Sequence, residues 1–289
     1  MGGFQDHPAA FSVDLEDYYH AQLVREHTGK ARLASRVEIS TAPILDLLDR
    51  HGVRATFFVV GEVAQEAPRL IERIVGSGHE IGCHTYAHDP LWEMTPESFR
   101  EDIRKFKEAI KGAAGDVPVR GFRAPTFSLD GRTAWALRVL AEEGFSYDSS
   151  IVPARGPLYG CPGAPIGIYR PSTDDPRHTD PSNPVVEFPA PVVGFGKTRL
   201  PVGGGIYLRA LPFRVYHALV RRVLRKRPFF LYVHPWETDP GTPRIALPRF
   251  ARWATYTGIT GMLGKLERLL RSIRFTTMSK AIESSGLGG

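Results

Sequence analysis

The chain has few of the features that mark disulfide-stapled or membrane-spanning proteins. Its 289 residues include only two cysteines, Cys83 and Cys161, so no disulfide framework is available. No apolar run approaches the roughly 20 residues that cross a bilayer. Residues 1–6 lack the basic start and apolar run of a secretory signal, and Asp6 departs from the Ser or Thr of a myristoylation signal. These absences predict a cytoplasmic location, either free or peripheral to the inner membrane.

Linkers and repeats are absent as well. No Ser/Gly-rich or charge-block segment divides the chain, and no unit of fixed period recurs, so we expect a single domain over residues 1–289. The composition, 42% hydrophobic and 24% charged, is sufficient for a sizeable core. No oligomeric state is predicted.

The net charge of +6 has a local source in the basic run between residues 221 and 227. Such a run could contact anionic lipid, an acidic polysaccharide or nucleic acid, although a solvated helix face is the preferred interpretation. Nucleic-acid binding is disfavoured because no reader motif accompanies the run. Association with a membrane surface stays open.

Short apolar segments alternate with amphipathic segments along the chain, which is typical of parallel βαβ units. Strands are predicted at residues 10–15, 54–60, 79–84, 119–123, 145–148, 185–188, 229–233 and 274–278. Helices are predicted at residues 40–51, 63–75, 95–112, 133–143, 212–224 and 259–271. Residues 153–184 are rich in Pro, Gly, Asp and Thr without periodicity, and such long insertions usually shape a binding site. The pattern predicts a (β/α) barrel with its functional residues at the C-terminal ends of the strands.

Two strand ends carry the residue types of a metal site. The first strand is followed by a cluster of carboxylates, Asp14, Glu16 and Asp17. The third strand leads into a His-x-x-x-His pair, His84 and His88, whose rings would share one face if the segment turned helical. Acids at a strand end are often helix caps, and such a histidine pair is as often structural. Together, however, two histidines and one carboxylate form the open ligand set typical of catalytic zinc.

Three further strand ends carry polar groups suited to catalysis. Arg123 ends the fourth strand and would keep a neighbouring carboxylate ionised. Asp148 ends the fifth strand, where it is either a turn cap or a group that orients a second catalytic residue. His234 directly follows the apolar strand Phe229–Val233 and is a candidate general acid.

The order of these motifs resembles the polysaccharide deacetylases, the NodB-homology group (carbohydrate esterase family 4). The motifs are Asp-x-Glu-Asp, His-Thr-x-x-His, Arg-x-Pro, Tyr-Asp-Ser-Ser and Leu-Tyr-Val-His-Pro-Trp-Glu, within residues 10 to 280. The resemblance is strongest to the subgroup linked to exopolysaccharide loci. It implies a distorted (β/α)7 barrel and a divalent metal, with zinc favoured, held by Asp17, His84 and His88. Most family members carry adjacent Asp-Asp in the first motif, and some space base and ligand one residue apart. This chain therefore leaves two assignments open: Asp14 or Glu16 as base, and Asp17 or Glu16 as ligand.

The activity implied by the resemblance is hydrolysis of an N-acetyl amide on an amino sugar, in a glycan, glycolipid or glycoside. Asp14 would be the base, paired with Arg123, and His234 the acid, oriented by Asp148. An allantoinase-like cyclic-amide hydrolase shares the barrel and is the nearest alternative. A catalytically inactive glycan-binding module is the alternative from a different class.

Overall fold

The structure, a computed structural model, describes residues 6–29, 33–156, 159–196 and 198–287. Residues 1–5, part of the segment from which the absence of a secretory signal was predicted, lie outside this range. The strands are β1 (Ala9–Leu15), β2 (Thr56–Val59), β3 (Glu80–Cys83), β4 (Val119–Phe122), β5 (Tyr147–Asp148), β6 (Val186–Glu187), β7 (Val192–Phe195), β8 (Thr198–Pro201), β9 (Phe229–Val233) and β10 (Phe275–Thr276).

The helices alternate with these strands. They are α1 (Gln22–Thr28), α2 (Val37–Arg50), α3 (Gly61–Glu66), α4 (Pro68–Gly76), α5 (Pro96–Ala114), α6 (Trp135–Glu142), α7 (Gly205–Ala210), α8 (Phe213–Leu224), α9 (Arg249–Tyr256), α10 (Met262–Ser272) and α11 (Met278–Glu283). No helix among the described residues combines the length and the apolarity required to span a bilayer.

Eight strands form one parallel sheet that curls into a barrel-like shape, and seven of them follow one another as neighbours. The order is β9-β1-β2-β3-β4-β5-β6, and every neighbouring pair is parallel. β10 pairs with the first two residues of β1, also in parallel. The expected distorted (β/α)7 barrel is therefore confirmed. Because the strands are parallel, their C-terminal ends meet at one rim.

One predicted helix is divided, and one hairpin was not predicted, each for an identifiable reason. The helix predicted over residues 63–75 is two helices, because Pro68 disfavours helical geometry at the preceding Ala67, whose ψ is 57°. The antiparallel hairpin of β7 and β8 was not predicted, since its strands are short and contain glycine and proline. By contrast, α5 begins at the predicted cap, where the Thr95 side chain accepts a hydrogen bond from the Ser98 N–H.

Strand alternation divides the core into two layers. Along β9, Phe229, Leu231 and Val233 pack beneath the helices, whereas Phe230 and Tyr232 join the cluster inside the barrel. On β1, Ala10 lies in the inner cluster and Val13 in the outer one. Alternate residues of each strand face inward. A side chain at a strand end therefore reaches the barrel interior only when its position continues this inward-facing series.

The predicted insertion has little regular secondary structure in its described part. Residues 153–184 contain no named strand or helix where the structure describes them, and their pairing is limited to isolated bridges such as Pro171 with Thr179. Side chains tie the segment together instead: the Tyr169 hydroxyl donates to the Pro176 carbonyl at 2.5 Å, and the Asn183 amide donates to the Pro171 carbonyl at 2.7 Å.

Candidate active site

Three buried side chains at the C-terminal rim meet in a geometry that could hold a cation. The ligand atoms of Glu16, His84 and His88 all lie within 4.8 Å of one another. The His88 Nε2 is 2.6 Å from the Glu16 Oε2, and the rings of His84 and His88 meet edge to face with centroids 4.9 Å apart. Their convergence brings together chain segments almost 70 residues apart, as the predicted metal site requires.

The protonation states of these three side chains favour metal binding. Burial lowers the pKa of His84 to about 4 and also lowers the pKa of His88, so both imidazoles are neutral near pH 7. Burial alone would raise the pKa of Glu16, but the surrounding imidazoles outweigh it and hold that pKa well below its ordinary range. Neutral imidazoles and an ionised carboxylate are the forms that bind divalent metals.

The ring of His84 is oriented by the backbone of the neighbouring strand. Its Nδ1 lies 2.6 Å from the Arg123 carbonyl oxygen, which can only accept a hydrogen bond. Nδ1 therefore carries the proton, and the lone pair of Nε2 is left for a ligand bond. Within the described residues the buried His88 Nδ1 has no hydrogen-bond partner.

The segment between the two histidines is not the helical turn that the spacing suggested. It is a loop in which Thr85 and His88 adopt left-handed backbone angles, with φ of 60° and 56°. Such angles are costly for residues other than glycine, and they concentrate at functional sites. The loop, rather than helical periodicity, brings the two rings together.

The prediction that Asp17 joins the two histidines is wrong. Its Oδ2 accepts hydrogen bonds from the Ser35 hydroxyl at 2.6 Å and from the Arg36 N–H at 2.8 Å, where it caps the N-terminus of α2. The reason is parity: Asp14 and Glu16 continue the inward series of β1, whereas Asp17 has the outward parity. Glu16, the alternative ligand considered from the sequence, takes its place beside His84.

Arg123 and Asp14 form a buried ion pair inside the barrel. The Arg123 Nη1 lies 2.6 Å from the Asp14 Oδ1 and donates a second hydrogen bond to the Ser12 hydroxyl at 2.9 Å. The Arg123 side chain is fully buried, and its other N–H groups donate to the carbonyl and hydroxyl of Ser149, both at 3.1 Å. The ring of Phe58 lies 4.2 Å from the guanidinium carbon. The expected pairing of this arginine with a first-strand carboxylate is thus observed.

His234 faces the same cluster from the end of β9. Its Nε2 is 3.7 Å from the Glu16 Oε1 and 3.9 Å from the Asp14 Oδ2. Burial alone would lower the pKa of His234, but the nearby carboxylates, Glu16 and Glu237 foremost, outweigh it and raise that pKa to about 9. The imidazole is therefore protonated near pH 7, as a general acid must be.

Sequence reasoning missed the group that orients His234. Glu237, three residues further along the same turn, places its Oε2 3.1 Å from the His234 Nδ1. Its other oxygen accepts a hydrogen bond from the Arg209 Nε at 2.8 Å, and Arg209 is itself buried. A Cβ at position 205 would lie 2.2 Å from the Glu237 Oε2, so a larger residue there would displace this carboxylate from its place beside His234. The i, i+3 spacing of His234 and Glu237 was the available signal.

Asp148 does not have the predicted contact with His234. The adjacent Tyr147 belongs to the cluster inside the barrel, so Asp148 points outward, where it accepts a hydrogen bond from the Ser150 hydroxyl. Its partner across the strand pair is Glu187, also fully buried, and burial raises the pKa of both carboxyls. The orienting role falls to Glu237 instead.

Two family models together match most of the chain. Residues 36–145 match "Polysaccharide deacetylase", and residues 149–283 match "Domain of unknown function (DUF3473)". The second model marks the subgroup linked to exopolysaccharide loci, which agrees with the subgroup inferred from the motifs. The two ranges between them include His84, His88, Arg123 and His234.

Curated relatives and solved structures agree with these matches. A peptidoglycan-N-acetylglucosamine deacetylase from Bacillus cereus is 39% identical over 98 residues, which are 33% of this chain and 35% of that protein. A chitooligosaccharide deacetylase from Sinorhizobium fredii is 38% identical over 87 residues, 30% of this chain and 40% of that protein. The matches thus span well under half the length of these relatives.

The crystal structure of a Mycobacterium smegmatis protein described as a polysaccharide deacetylase superposes with a TM-score of 0.66, covering 98% of this chain and 91% of that one at 19% identity. At this level of identity the likeness shows the fold alone. The motifs and the family models carry the likeness beyond the fold: the chain resembles the polysaccharide deacetylases, whose model matches residues 36–145.

Proposed function

We propose that the chain is a metal-dependent hydrolase that removes N-acetyl groups from amino sugars in a glycan or glycoside. The observation that carries this proposal is one buried cluster with three chemical parts. A ligand set consists of Glu16, His84 and His88, a carboxylate is paired with an arginine, and a protonated histidine is paired with a carboxylate. Amide hydrolysis needs an activated water, a base and an acid, and each part supplies one of these.

The donor set fits a zinc ion better than a hard cation. Two neutral imidazoles and one carboxylate are the ligands of several catalytic zinc sites, whereas calcium and magnesium prefer oxygen alone. The Nδ1 of His84, held by the Arg123 carbonyl, leaves Nε2 as its ligand atom. When bound there, zinc would polarise the amide carbonyl and lower the pKa of water from 15.7 toward ~7.

Asp14 is the proposed base. Since Glu16 stands in the ligand set, Asp14 is the remaining first-strand carboxylate inside the barrel. One of its oxygens is bound by Arg123, and the other lies on the side of His234, 3.9 Å from the imidazole Nε2. A carboxylate held in this way can accept the proton of the attacking water without moving.

His234 is the proposed acid. An amine leaves poorly as an anion, so its nitrogen must gain a proton while the carbon–nitrogen bond breaks. His234 is protonated and faces the cluster, and the indole of Trp236 stacks on it with ring centroids 5.1 Å apart and planes inclined by 16°. The Trp236 N–H also donates to the Glu16 Oε1 at 3.2 Å, which ties the acid's loop to the ligand set.

Support for a sugar substrate comes from the relatives. The named relatives act on peptidoglycan and chitooligosaccharides, both of which carry N-acetylglucosamine. The cyclic-amide hydrolase and the inactive module are not favoured, because the relatives are deacetylases and the site has its ligands, base and acid.

The decisive experiment measures metal content and acetate release on the same preparations. We expect about one zinc per chain by mass spectrometry, release of acetate from N-acetylglucosamine oligomers, loss of activity on chelation and recovery on adding zinc. His84→Ala should lose both metal and activity. Asp17→Asn is the matched control, since that residue caps α2, and it should keep both.

Allantoin is included as a competing substrate. Turnover of allantoin without acetate release would replace the proposed reaction with cyclic-amide hydrolysis. Full turnover of the His84→Ala variant after chelation would refute the metal-dependent scheme altogether.

A further inference from the structure

The N-terminal and C-terminal parts of the chain differ sharply in charge. Residues 1–187 contain 27 acidic and 20 basic side chains, whereas residues 188–289 contain 4 acidic and 17 basic ones. Two of those four acids, Glu237 and Asp239, are buried. The C-terminal part therefore presents a strongly basic surface with few acidic side chains to offset it, which the modest overall charge conceals.

Part of this surface combines cations with exposed apolar side chains. In the hairpin of β7 and β8, Phe195 pairs with Thr198 and Val193 with Leu200, so Phe195 and Leu200 lie on the same face. Val193 is buried in the core, but Phe195 is 53% exposed and Leu200 is 38% exposed. This face of the hairpin is thus buried at Val193 and exposed to solvent at Phe195 and Leu200.

Helix α8 continues this face. The Arg222 guanidinium carbon lies 6.0 Å from the centre of the Phe195 ring, which joins the helix to the hairpin. Val215, 48% exposed, lies two turns earlier on the same side of α8 as Arg222. We name the basic hairpin surface by its exposed members: Phe195, Leu200, Val215, Arg222, Arg225 and Lys226.

The cations of this surface are not committed elsewhere. Among the described residues, no ion pair uses Arg222, Arg225 or Lys226. Between Phe188 and Trp236 the sequence contains no acidic residue at all. These charges therefore remain available to an anionic partner.

We infer that the basic hairpin surface docks the protein on an anionic lipid bilayer. The arginine and lysine side chains would contact lipid phosphates, and Phe195 and Leu200 would enter the interfacial layer. The aliphatic members favour a bilayer over other polyanions, because nucleic acids and acidic glycans gain little from Leu200 or Val215, whereas a bilayer takes up such groups.

Docking in this way would leave the active site open. Arg227 donates to the Val192 carbonyl where β7 begins, and Arg227 lies two residues before the start of β9, so this part of the hairpin lies near the N-terminal ends of the strands. The candidate active site lies at their C-terminal ends. Membrane binding and deacetylation can therefore be tested separately, and neither depends on the other.

The test is cosedimentation of the whole chain with lipid vesicles. We expect binding to vesicles of phosphatidylcholine mixed with phosphatidylglycerol, weaker binding as salt increases, and little binding to phosphatidylcholine alone. The triple variant Arg222→Glu, Arg225→Glu, Lys226→Glu should bind at least about 100-fold more weakly. Phe195→Ser should weaken binding by roughly 5- to 10-fold without changing its salt dependence.

Matched controls come from residues 1–187. Arg104→Glu, Lys105→Glu, Lys111→Glu makes the same charge change on exposed positions of α5, and Ile39→Ser removes an apolar side chain that is 61% exposed. Neither should reduce vesicle binding by more than about 3-fold. Acetate release from a soluble oligomer should be unchanged in all four variants.

The inference is overturned if the wild-type chain does not bind the anionic vesicles, or if the α5 triple variant weakens binding as much as the α8 variant. Tight binding to heparin or duplex DNA without vesicle binding would also overturn it, and would identify a different polyanion as the partner.

Discussion

The buried pair of Arg123 and Asp14 allows the sharpest test of the site. Replacing Arg123 with Met keeps a long side chain but removes every hydrogen bond of the guanidinium, including those to Ser12 and Ser149. It also leaves Asp14, which is 2% exposed, without its cation. Breaking a buried ion pair from one side costs about 3–5 kcal/mol. We expect Arg123→Met to reduce the free energy of unfolding by that amount.

A second substitution separates charge from packing. If most of the loss comes from the stranded carboxylate, adding Asp14→Asn should restore about 1–3 kcal/mol, because the amide has no charge to desolvate. The measurement is urea unfolding of metal-free protein, followed by tryptophan fluorescence. Acetate release should be abolished in both variants. The double variant lacks the proposed base, and Arg123→Met lacks the guanidinium that holds this base in place.

The result that would refute this reasoning is a double variant no more stable than Arg123→Met alone. The loss would then come from the emptied space and the missing hydrogen bonds rather than from an unpaired charge. A loss below about 1 kcal/mol for Arg123→Met would equally contradict the importance of the pair.

Three further outcomes are expected. Asp17→Asn should lower the free energy of unfolding by about 1 kcal/mol, measured in urea, because the carboxylate caps α2, and a larger loss with missing zinc would contradict the cap assignment. Glu237→Gln should reduce kcat about 10- to 100-fold with KM changed less than about 3-fold in steady-state assays, since it orients His234; an unchanged kcat would reject that role. His79 is buried and accepts a hydrogen bond from the Ala55 N–H, and burial lowers its pKa from 6.5 to about 4. The folded state keeps His79 neutral, so its contribution to the free energy of unfolding is complete above pH 6.5 and is lost as the pH falls toward 4. The loss is at most about 3 kcal/mol, and screening by solvent would reduce it. Urea unfolding at several pH values should show this loss in the wild type and a smaller one in His79→Asn, and equal losses would refute it.

The sequence indicated where functional residues would fall, because strand ends are locally encoded. Apolar runs such as that of β9 are long enough to identify from residue type, and polar groups that follow them stand out. These patterns alone predict that His84, Arg123 and His234 lie at one rim. Strand alternation along β1 also indicates that Glu16 faces inward and Asp17 outward. The family's motif spacing nevertheless favoured Asp17 as the ligand, which the structure does not place beside the histidines.

Other features could not be predicted from local pattern. The loop conformation at Thr85 and His88 depends on left-handed backbone angles that no periodicity indicates. The approach of Arg209 to Glu237 depends on how α7 packs against the end of β9, through the space that Gly205 leaves free. The hairpin of β7 and β8 has too few residues for a period to be recognised.

The sequence by itself therefore determined the resemblance to a family, the alternation of strands and helices, and the residue types available at the rim, since these follow from local composition and order. Only the tertiary structure decided which carboxylate faces the histidines, which acid orients His234, and which cations remain unpaired at the surface. Those outcomes depend on distances between segments far apart in sequence, and such distances are set by packing across the whole barrel.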